Sequence, residues 1–378
     1  MVVAFDTGVL QARFRNTGIY FYALNLLRQF RCLTSQDPSL SLTFFTGPNG
    51  QNDAGQLAPA ERFQPVSTRL LRHDVLWRLG VGALMVGRKP ADVVFAPAPT
   101  LPLSRVPVVV AIHDAMVARM PTSFIPKKKI VRHHVWAAAR LATTIVTDSK
   151  HSRQELIETY NLNPDKVRVV HLGYNRELYN DVPNAPEEES RLLSRLGIRC
   201  PYIIHVGMIW RRKNLTRLVE AFKMLVERQR DIQLELVLAG PLGSRHEETV
   251  QAAGQVKLPA RVHFTGPLPD RELATLVKGA TLSVIPSLYE GFCLPMVEAM
   301  ACGVPTISSN TSCLPEISGN KLMYFDPSSS EEIATRMQQV LEDADLRDRL
   351  ARDGLERAQE FSWELCARQL LVALREAC

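Results

Sequence analysis

Residues 282–309 read LSVIPSLYEGFCLPMVEAMACGVPTISS, and this stretch decides the class of fold. It begins with the apolar run LSVIP and ends with TISS, and both segments are short and carry β-branched residues. Between them lies PMVEAMAC, which has helical apolar spacing and opens on a proline suited to a first helical turn. A strand, a helix and a second strand in this order predict parallel strands joined by a helical crossover.

The same alternation occurs on both sides of this unit. In the first half of the chain the pattern is carried by VVAF at 2–5, IYFYALNLLRQF at 19–30, DVVFAP at 92–97, VPVVVAIHD at 106–114 and TTIVTDS at 143–149. In the second half it is carried by YIIHVG at 202–207, LTRLVEAFKMLVERQ at 215–229, QLELVLAG at 233–240, VHFTG at 262–266 and DRELATLVKGA at 270–280. The sequence therefore predicts an α/β protein with two doubly wound parallel sheets and a ligand cleft between them.

The length supports two domains, because 378 residues with 46% apolar composition exceed what one hydrophobic core usually holds. The run NDVPNAPEEES at 180–190 is polar and acidic without an apolar period, so we interpret it as a linker. The predicted domains are residues 1–179 and 191–360. The amphipathic end of the chain, residues 361–378, predicts a helix that returns to the first domain.

The composition limits which cellular compartment and which binding partners we expect for this protein. No apolar run approaches the ~20 residues of a membrane-spanning helix, and the opening MVVAFDTGVL lacks the pattern of a signal peptide, so we expect a cytoplasmic protein. The seven cysteines are scattered and form no C-x-x-C pair, which disfavours a zinc site. Residues 1–180 carry 22 Lys and Arg against 12 Asp and Glu. This basic half suits an anionic membrane or a phosphorylated acceptor, and nucleic acid ranks last because no recognition motif accompanies the charge.

Ligands of doubly wound sheets bind at the carboxyl ends of strands, so the residues just after each apolar run are the candidates. Thr17 and Gly18 precede a predicted helix, where a glycine lets backbone N–H groups approach an anion; a plain helix cap fits equally well. His113 and Asp114 follow five apolar residues. The histidine could donate to a substrate hydroxyl, and the alternative is a His–Asp pair that only fixes a turn.

Three adjacent cations, Arg211, Arg212 and Lys213, occupy the turn of HVGMIWRRKNL at 205–215. They repel one another before a helix N-terminus, which favours negative neighbours. A bound diphosphate would remove the conflict, whereas a solvated basic loop is less expected directly after a buried strand.

The stretch quoted first, residues 282–309, contains two glutamates that are candidate binding residues. Glu290 follows the strand LSVIP, and Pro295 places Glu298 inside the next helix. Carboxylate oxygens accept hydrogen bonds from vicinal hydroxyls, so the two residues suit a ligand with a sugar at one end and a ribose at the other. A role as helix-start acids explains Glu298 poorly, because it lies too far into the helix.

On these residues the chain resembles the retaining GT-B glycosyltransferases of family 4, especially the bacterial mannosyltransferase-like members that build O-antigen and exopolysaccharide. The strongest signature is the E-x7-E motif, matched by Glu290 and Glu298. VGMIWRRKNL resembles the family's VGT-x-x-PRKNL, and VVAIHD, VVHLGYN and FTGPLPDREL also match, so the resemblance spans nearly the whole chain. It implies two Rossmann-like domains that face a central cleft.

The resemblance also implies roles for the charged residues. Arg212 and Lys213 bind the diphosphate of a nucleotide-sugar donor and neutralise charge that builds on the leaving group. Glu290 contacts the hydroxyls of the transferred sugar, and Glu298 holds the ribose hydroxyls.

Other positions follow from the same resemblance. Backbone N–H groups of Phe292, Cys293 and Leu294 lie near sugar and phosphate, Gly18 approaches the phosphates from the other domain, and His113 lines the sugar-side pocket as a candidate catalytic residue with Arg212, Lys213 and Glu290. The family's EGFG reads EGFC here, so Cys293 strains the loop if that position needs a positive φ. The usual Glu-Pro before the Arg-Lys pair is Trp210-Arg211.

The resemblance implies a front-face mechanism with retention of configuration, in which the leaving diphosphate helps to take the acceptor proton. The chain's one D-x-D string, at 343–345, has the character of a turn or helix cap, so we expect neither a catalytic metal nor a cofactor beyond the donor substrate. GDP-mannose is the favoured donor, with UDP-sugars and other GDP-hexoses open, and a saccharide or lipid-linked saccharide is the expected acceptor.

Three other functions share parts of this pattern. A glycoside hydrolase also uses paired carboxylates, but the phosphate-directed cations argue against it. A nicotinamide dehydrogenase would need G-x-G-x-x-G, and the glycines at 80, 82 and 87 have the wrong spacing. A catalytically weak sugar-nucleotide-binding subunit is the non-enzyme alternative, with Cys293 as its sequence support.

Two basic segments suggest peripheral docking on an anionic membrane. Residues 69–89 combine five cations with Trp77 and other apolar residues, and 125–136 carry Lys127, Lys128, Lys129 and Arg132. The alternative, that Trp77 packs in the core and the lysines are only solvated, is equally favoured.

Overall fold

The computed structural model describes residues 1–10, 17–45, 91–99, 104–121, 128–199, 201–229, 233–243, 246–256 and 260–378. These residues form two compact units. The first consists of Met1–Gly173 together with Trp363–Cys378, and the second of Tyr174–Ser362.

The first unit is built on a six-stranded parallel sheet with the strand order β2-β1-β3-β4-β5-β6. Its central strands are short and rich in valine and alanine, and they are buried on both faces, as parallel strands between helices are. The strands are β1 Val2–Asp6, β2 Ser41–Phe45, β3 Val93–Ala96, β4 Val108–Ala111, β5 Thr144–Thr147 and β6 Val167–Val169.

Helices flank this sheet where the sequence has amphipathic runs. The last helix of the chain packs against the first helix and against β3 to β5, so the two ends of the chain share one core. The helices are α1 Gly18–Gln36, α2 Met116–Arg119, α3 Lys128–Leu141, α4 Lys150–Tyr160 and the final helix Trp363–Ala377.

The second unit repeats the architecture with the strand order β12-β11-β10-β7-β8-β9, again parallel throughout. Its strands are β7 Tyr202–Val206, β8 Glu235–Ala239, β9 Arg261–Gly266, β10 Leu282–Ile285, β11 Thr306–Ser309 and β12 Met323–Phe325. Its helices are α5 Pro186–Leu196, α6 Leu215–Arg228, α7 Glu247–Ala253, α8 Asp270–Lys278, α9 Leu294–Ala301, α10 Leu314–Ile317, α11 Ser330–Glu342 and α12 Ala344–Ala358, and the final helix of the first unit is α13. Every run quoted in the sequence analysis forms the predicted strand or helix, so the doubly wound class is confirmed.

The boundary between the units differs from the expected linker. Residues 180–190 lie inside the second unit, and 186–190 form the first turns of α5. Pro186 begins this helix and three glutamates follow in its first turn, where acidic side chains favour the helix dipole. The acidic composition interpreted as a linker is thus that of a helix start.

The described helices were compared with what a membrane-spanning helix requires. None of them has the length and apolar composition that a bilayer-spanning segment requires. Residues 69–89 and Lys127, which the sequence analysis singled out as basic segments, lie outside the described residues.

Candidate functional site

The turn after β7 places the three cations of the second unit. Arg211–Lys213 form one turn of 3-10 helix, which Asn214 ends in the left-handed conformation with φ of 58°. The Asn214 side-chain amide donates to the carbonyl of Pro286 at 3.1 Å and to that of Pro327 at 2.7 Å. This buried amide ties the cationic turn to the segment that follows β10.

Glu290 lies in that segment, and its backbone is fixed from both sides. The Leu288 N–H donates to the Arg212 carbonyl at 2.9 Å, which joins the two loops directly. The Glu290 N–H donates to the Ser312 hydroxyl at 3.0 Å, and the Cys313 thiol donates to the Glu290 carbonyl at 3.2 Å. The position of the carboxylate is therefore set by backbone contacts.

Two of the cations meet on this carboxylate. Lys213 Nζ lies 2.6 Å from Glu290 Oε1, and Arg212 Nη1 lies 2.6 Å from Glu290 Oε2. The side chains of Lys213 and Glu290 are 9% and 7% exposed. Burial alone would raise the pKa of Glu290, but the two cations lower it to about 2. The trio is a buried cluster with a net charge of +1, which favours the arrival of an anion.

A buried histidine borders the same cluster. His205 in β7 is 1% exposed, and its Nδ1 donates to the Val284 carbonyl at 2.9 Å. Burial and the nearby Lys213 lower the pKa of His205 to about 4, so the ring is neutral and Nε2 is an acceptor. Gly207 has a φ of +146°, and a Cβ there would lie 3.4 Å from Lys213 Cε and 3.5 Å from His205 Nε2. The glycine thus satisfies a backbone requirement and leaves room beside the lysine.

Glu298, on α9, has different neighbours from Glu290. It is half-buried, and burial together with the Asp270 carboxylate raises the pKa of Glu298 to about 8. Glu298 and Asp270 in turn contribute to the raised pKa of the buried Tyr179. The two acids of the motif are therefore in different states: Glu290 is ionised and occupied by cations, whereas Glu298 is mainly protonated at neutral pH and has one O–H donor beside its carbonyl acceptor.

The start of α9 carries the substituted glycine position. Cys293 is buried and has φ of 75° and ψ of 67°, so the position does require the left-handed conformation that the sequence analysis considered. The Met296 N–H donates to the Cys293 carbonyl at 3.1 Å as the helix begins at Leu294. Phe292 packs edge to face on Phe361, with ring centroids 5.3 Å apart. Burial raises the pKa of the Cys293 thiol to about 12, so it stays neutral.

His113 lies at the carboxyl end of β4 in the first unit and is paired with a residue that the sequence analysis did not name. Its Nδ1 lies 3.1 Å and 3.0 Å from the two carboxylate oxygens of Asp148, and its Nε2 lies 3.2 Å from the Pro97 carbonyl. Burial opposes a charged ring, but the Asp148 carboxylate and these hydrogen bonds together raise the pKa of His113. Asp114 accepts from the Met116 N–H at 2.9 Å and so fixes the following turn. The carboxylate that hydrogen-bonds to the His113 ring is that of Asp148 and not that of Asp114, which the alternative interpretation had paired with His113.

Gly18 is the first residue of α1, behind a capping residue. The Thr17 side chain accepts from the Tyr20 N–H at 3.3 Å. A Cβ on Gly18 would meet no atom within 4 Å, so packing within the described protein does not demand a glycine here. The cap is observed, and the approach of a phosphate to Gly18 stays a prediction.

The D-x-D string has the predicted role of a cap. Asp343 precedes α12, and its carboxylate accepts from the Leu346 N–H at 2.9 Å. In the described part of the chain, no three His, Cys, Asp or Glu side chains are grouped as metal ligands.

The structure brings together Arg212, Lys213 and Glu290, and it places Glu298 on the adjoining helix. The sequence did not lead us to predict Asp148 and His205 as site residues. Asp148 directly follows β5 in TTIVTDS, the same position that marked His113 after β4, so the rule applied to every strand end would have found it. His205 lies within β7, where a histidine in a strand gives no signal of its own.

Two protein-family models match the chain, one in each half. The family model described as "Glycosyl transferases group 1" matches residues 196–357, and the family model described as "Glycosyltransferase Family 4" matches residues 42–178. The O-antigen chain mannosyltransferase B of Escherichia coli is 30% identical over 270 residues, which cover 71% of this chain and 70% of that protein.

Two further proteins extend the comparison. The MMP alpha-(1->4)-mannosyltransferase of Mycolicibacterium hassiacum is 29% identical over 63% of this chain, and the match spans 55% of that protein's length. The structure of Anabaena HepE in complex with UDP-glucose superposes with a TM-score of 0.76 at 18% identity, covering 100% of both chains, which shows a shared fold.

Proposed function

Since the chain belongs to the family 4 glycosyltransferases and has their GT-B fold, we propose that it transfers a hexose, mannose from GDP-mannose, to a saccharide or lipid-linked saccharide in cell-surface polysaccharide synthesis. The relatives named above as mannosyltransferases support this choice of sugar. Retention of the anomeric configuration is part of the same proposal.

The single observation that carries the proposal is the buried trio of Arg212, Lys213 and Glu290. Two cations on one carboxylate leave a net positive charge close to the start of α9, where the Leu294 N–H precedes the helix's first hydrogen bond, from Met296 to Cys293. A donor diphosphate supplies the missing negative charge there. A glycoside hydrolase fits less well, because Lys213 and Arg212 take up both carboxylate oxygens of Glu290, which leaves neither oxygen free to act as a nucleophile or a base.

The chain's own residues divide the work in this proposal. Arg212 and Lys213 stabilise the negative charge that develops on the leaving diphosphate, and its oxygen takes the acceptor proton. Glu290 leaves the cations when the diphosphate arrives and accepts from hydroxyls of the transferred sugar. Glu298 exchanges hydrogen bonds with the ribose hydroxyls.

A metal is not part of the proposed chemistry, because the two cations take the electrostatic role. Transfer measured after dialysis against EDTA should retain at least about half of its rate. A strict need for added Mg2+ or Mn2+ would contradict the roles of Arg212 and Lys213.

The donor can be identified by thermal unfolding with a panel of nucleotide sugars. GDP-mannose at 100 times its dissociation constant should stabilise the protein by about 2.7 kcal/mol. UDP-glucose, the ligand of HepE, serves as the matched alternative. Turnover of the stabilising donor separates an enzyme from a binding subunit. A protein that no nucleotide sugar stabilises would contradict the proposal.

Docking on an anionic membrane is a further part of the proposal, supported by exposed apolar and basic side chains of α3. Trp136 is 46% exposed and Leu141 is 57% exposed, and Lys129, Arg132 and Arg140 are also exposed. Apolar and basic side chains on one helix suit the interface of an anionic bilayer.

The protein should co-sediment with anionic but not neutral liposomes at low salt, and a Lys127/Lys128/Lys129→Glu variant should lose this binding. Equal binding by the variant would assign the basic charge to a phosphorylated acceptor.

A further inference from the structure

The surroundings of His113 carry more information than its position at a strand end. Asp148, which directly follows β5, presents both carboxylate oxygens to Nδ1 at 3.1 Å and 3.0 Å. The Pro97 carbonyl, which follows β3, lies 3.2 Å from Nε2. Three neighbouring parallel strands therefore converge on one imidazole ring.

The hydrogen-bonding chemistry of Asp148 and of the Pro97 carbonyl determines how many nitrogens of the His113 ring carry a proton. A carbonyl oxygen is only an acceptor, and an ionised carboxylate is only an acceptor. Because both ring nitrogens face acceptors, both must carry a proton for both contacts to be hydrogen bonds. A doubly protonated imidazolium has no lone pair, so it can donate to an oxygen but cannot take a proton from one.

The other groups around the ring are consistent with this charge. Tyr22 of α1 meets the ring edge to face at 4.7 Å, and burial raises the pKa of its hydroxyl, so it stays neutral. Burial likewise raises the pKa of the Cys366 thiol, on α13, well above its usual value. Asp114, in the loop of His113 itself, adds a second negative charge that favours the imidazolium.

We propose that Asp148 is a positioning residue that holds His113 as a doubly protonated imidazolium, so that His113 serves the reaction as a hydrogen-bond donor and not as a base. The donor role rests on the proposed function, whereas the protonation state belongs to the protein alone. The His113 side chain is 18% exposed, so it is within reach of a ligand, and its long contact to Pro97 is the bond that a substrate oxygen can replace.

The protonation state is tested without any substrate. In protein labelled with 15N at histidine, the His113 resonances, assigned by comparison with His113→Gln, should show two protonated ring nitrogens from pH 6 to pH 8. In Asp148→Asn one nitrogen should lose its proton within that range, because the amide accepts a hydrogen bond but carries no charge. Asp114→Asn removes a carboxylate from the adjacent residue and should leave the ring doubly protonated. A neutral ring in the wild type at pH 7, or equal shifts in both variants, would overturn the proposal.

The donor role is tested by the pH dependence of transfer from GDP-mannose. Asp148→Asn should lose at least about tenfold in kcat between pH 6 and pH 8 relative to wild type, with KM for the donor unchanged, because a neutral ring donates only an uncharged hydrogen bond through Nε2, whereas the imidazolium donates a stronger, charge-assisted one to the reacting sugar. An equal fractional loss at every pH would indicate a structural role and contradict the donor function. If no donor is turned over by the wild type, the proposed function fails, and the resonance experiment still decides the role of Asp148.

Discussion

The two units hold their buried charges in different ways. In the second unit, two cations from one turn share the carboxylate of Glu290, and the cluster keeps a net charge of +1. In the first unit, one imidazole ring faces one carboxylate and one carbonyl, and with the doubly protonated ring that we propose the His113–Asp148 pair has no net charge. An unbalanced cluster attracts an anion, whereas a balanced pair fixes the orientation and charge of one side chain. On this comparison rests our proposal of donor binding for the second unit and of a directed hydrogen bond for the first.

The largest expected effect comes from removing the buried ammonium. Lys213→Ala should lower kcat about 100-fold to 1,000-fold, since one preorganised charge that stabilises a leaving group contributes this much in water-excluded sites. Transfer kinetics with GDP-mannose measure it, and Lys223→Ala, a cation of α6 outside the cluster, is the matched control. A loss below about tenfold for Lys213→Ala would mean that the unbalanced charge of the second unit is not catalytic.

The two acids of the E-x7-E motif should separate binding from turnover. Glu298→Ala should weaken binding of free GDP about tenfold through lost ribose hydrogen bonds. Glu290→Ala should mainly lower kcat, and its affinity for free GDP should not fall, because the change frees Arg212 and Lys213 for the phosphates. Calorimetric titration of both variants with GDP provides the comparison. Equal losses of GDP affinity would overturn the division of roles.

The same two acids should also respond oppositely to pH. The pKa of Glu298 is about 8 in the folded protein, above the ordinary 4.5, so the folded state holds the extra proton and stability falls as pH rises from 4.5 to 8. Glu298→Gln should therefore gain about 1 to 2 kcal/mol over wild type at pH 8.5, after allowance for solvent screening of a half-buried group, and gain little at pH 5.

Glu290 gives the contrasting case. Its pKa of about 2 lies below the ordinary 4.5, so its stabilisation is complete above pH 4.5 and is lost as pH falls toward 2. Denaturant melts of wild type, Glu298→Gln and Glu290→Gln at several pH values test both directions. A pH-independent difference for Glu298→Gln would contradict the raised pKa.

The smallest expected effect concerns the strained start of α9. Glycine at position 293 should be more stable than alanine by about 1 kcal/mol, because a Cβ is disfavoured at φ of 75°. At an ordinary helix position the order is reversed, since glycine costs about 1 kcal/mol relative to alanine. Comparing Cys293→Gly with Cys293→Ala removes the thiol in both variants. An alanine variant as stable as the glycine variant would show that the loop carries no strain.

Much of this architecture could be predicted because strand runs and helix runs alternate with different apolar periods. Among the strands the exceptions are β2, β6 and β12, and of these β6 and β12 have three residues each, too short for a period to be recognised, and lie at sheet edges. The acidic run 180–190 was assigned to a linker because composition alone does not distinguish a linker from the charged first turn of α5.

The sequence predicted the residues of the two candidate sites to different extents, because motifs mark single residues whereas contacts depend on the fold. Arg212 and Lys213 belong to one motif and Glu290 to another, so the sequence indicates each of them, although their contact across 77 residues depends on the adjacency of β7 and β10. His113 and Asp148 lie 35 residues apart, and only the adjacency of β4 and β5 brings them together. The raised pKa of Glu298 depends on its burial and on Asp270, from another helix, and no local pattern encodes either of them.

The central claim is that the cationic turn of the second unit binds a donor diphosphate, and a crystal structure with bound GDP-mannose tests it most directly. The phosphate oxygens should lie within hydrogen-bond distance of Arg212 and Lys213, the ribose hydroxyls should contact Glu298, and at least one of the two contacts that Glu290 makes in the free protein should be broken. Phosphates bound elsewhere, with Glu290 still held by both cations, would contradict the account.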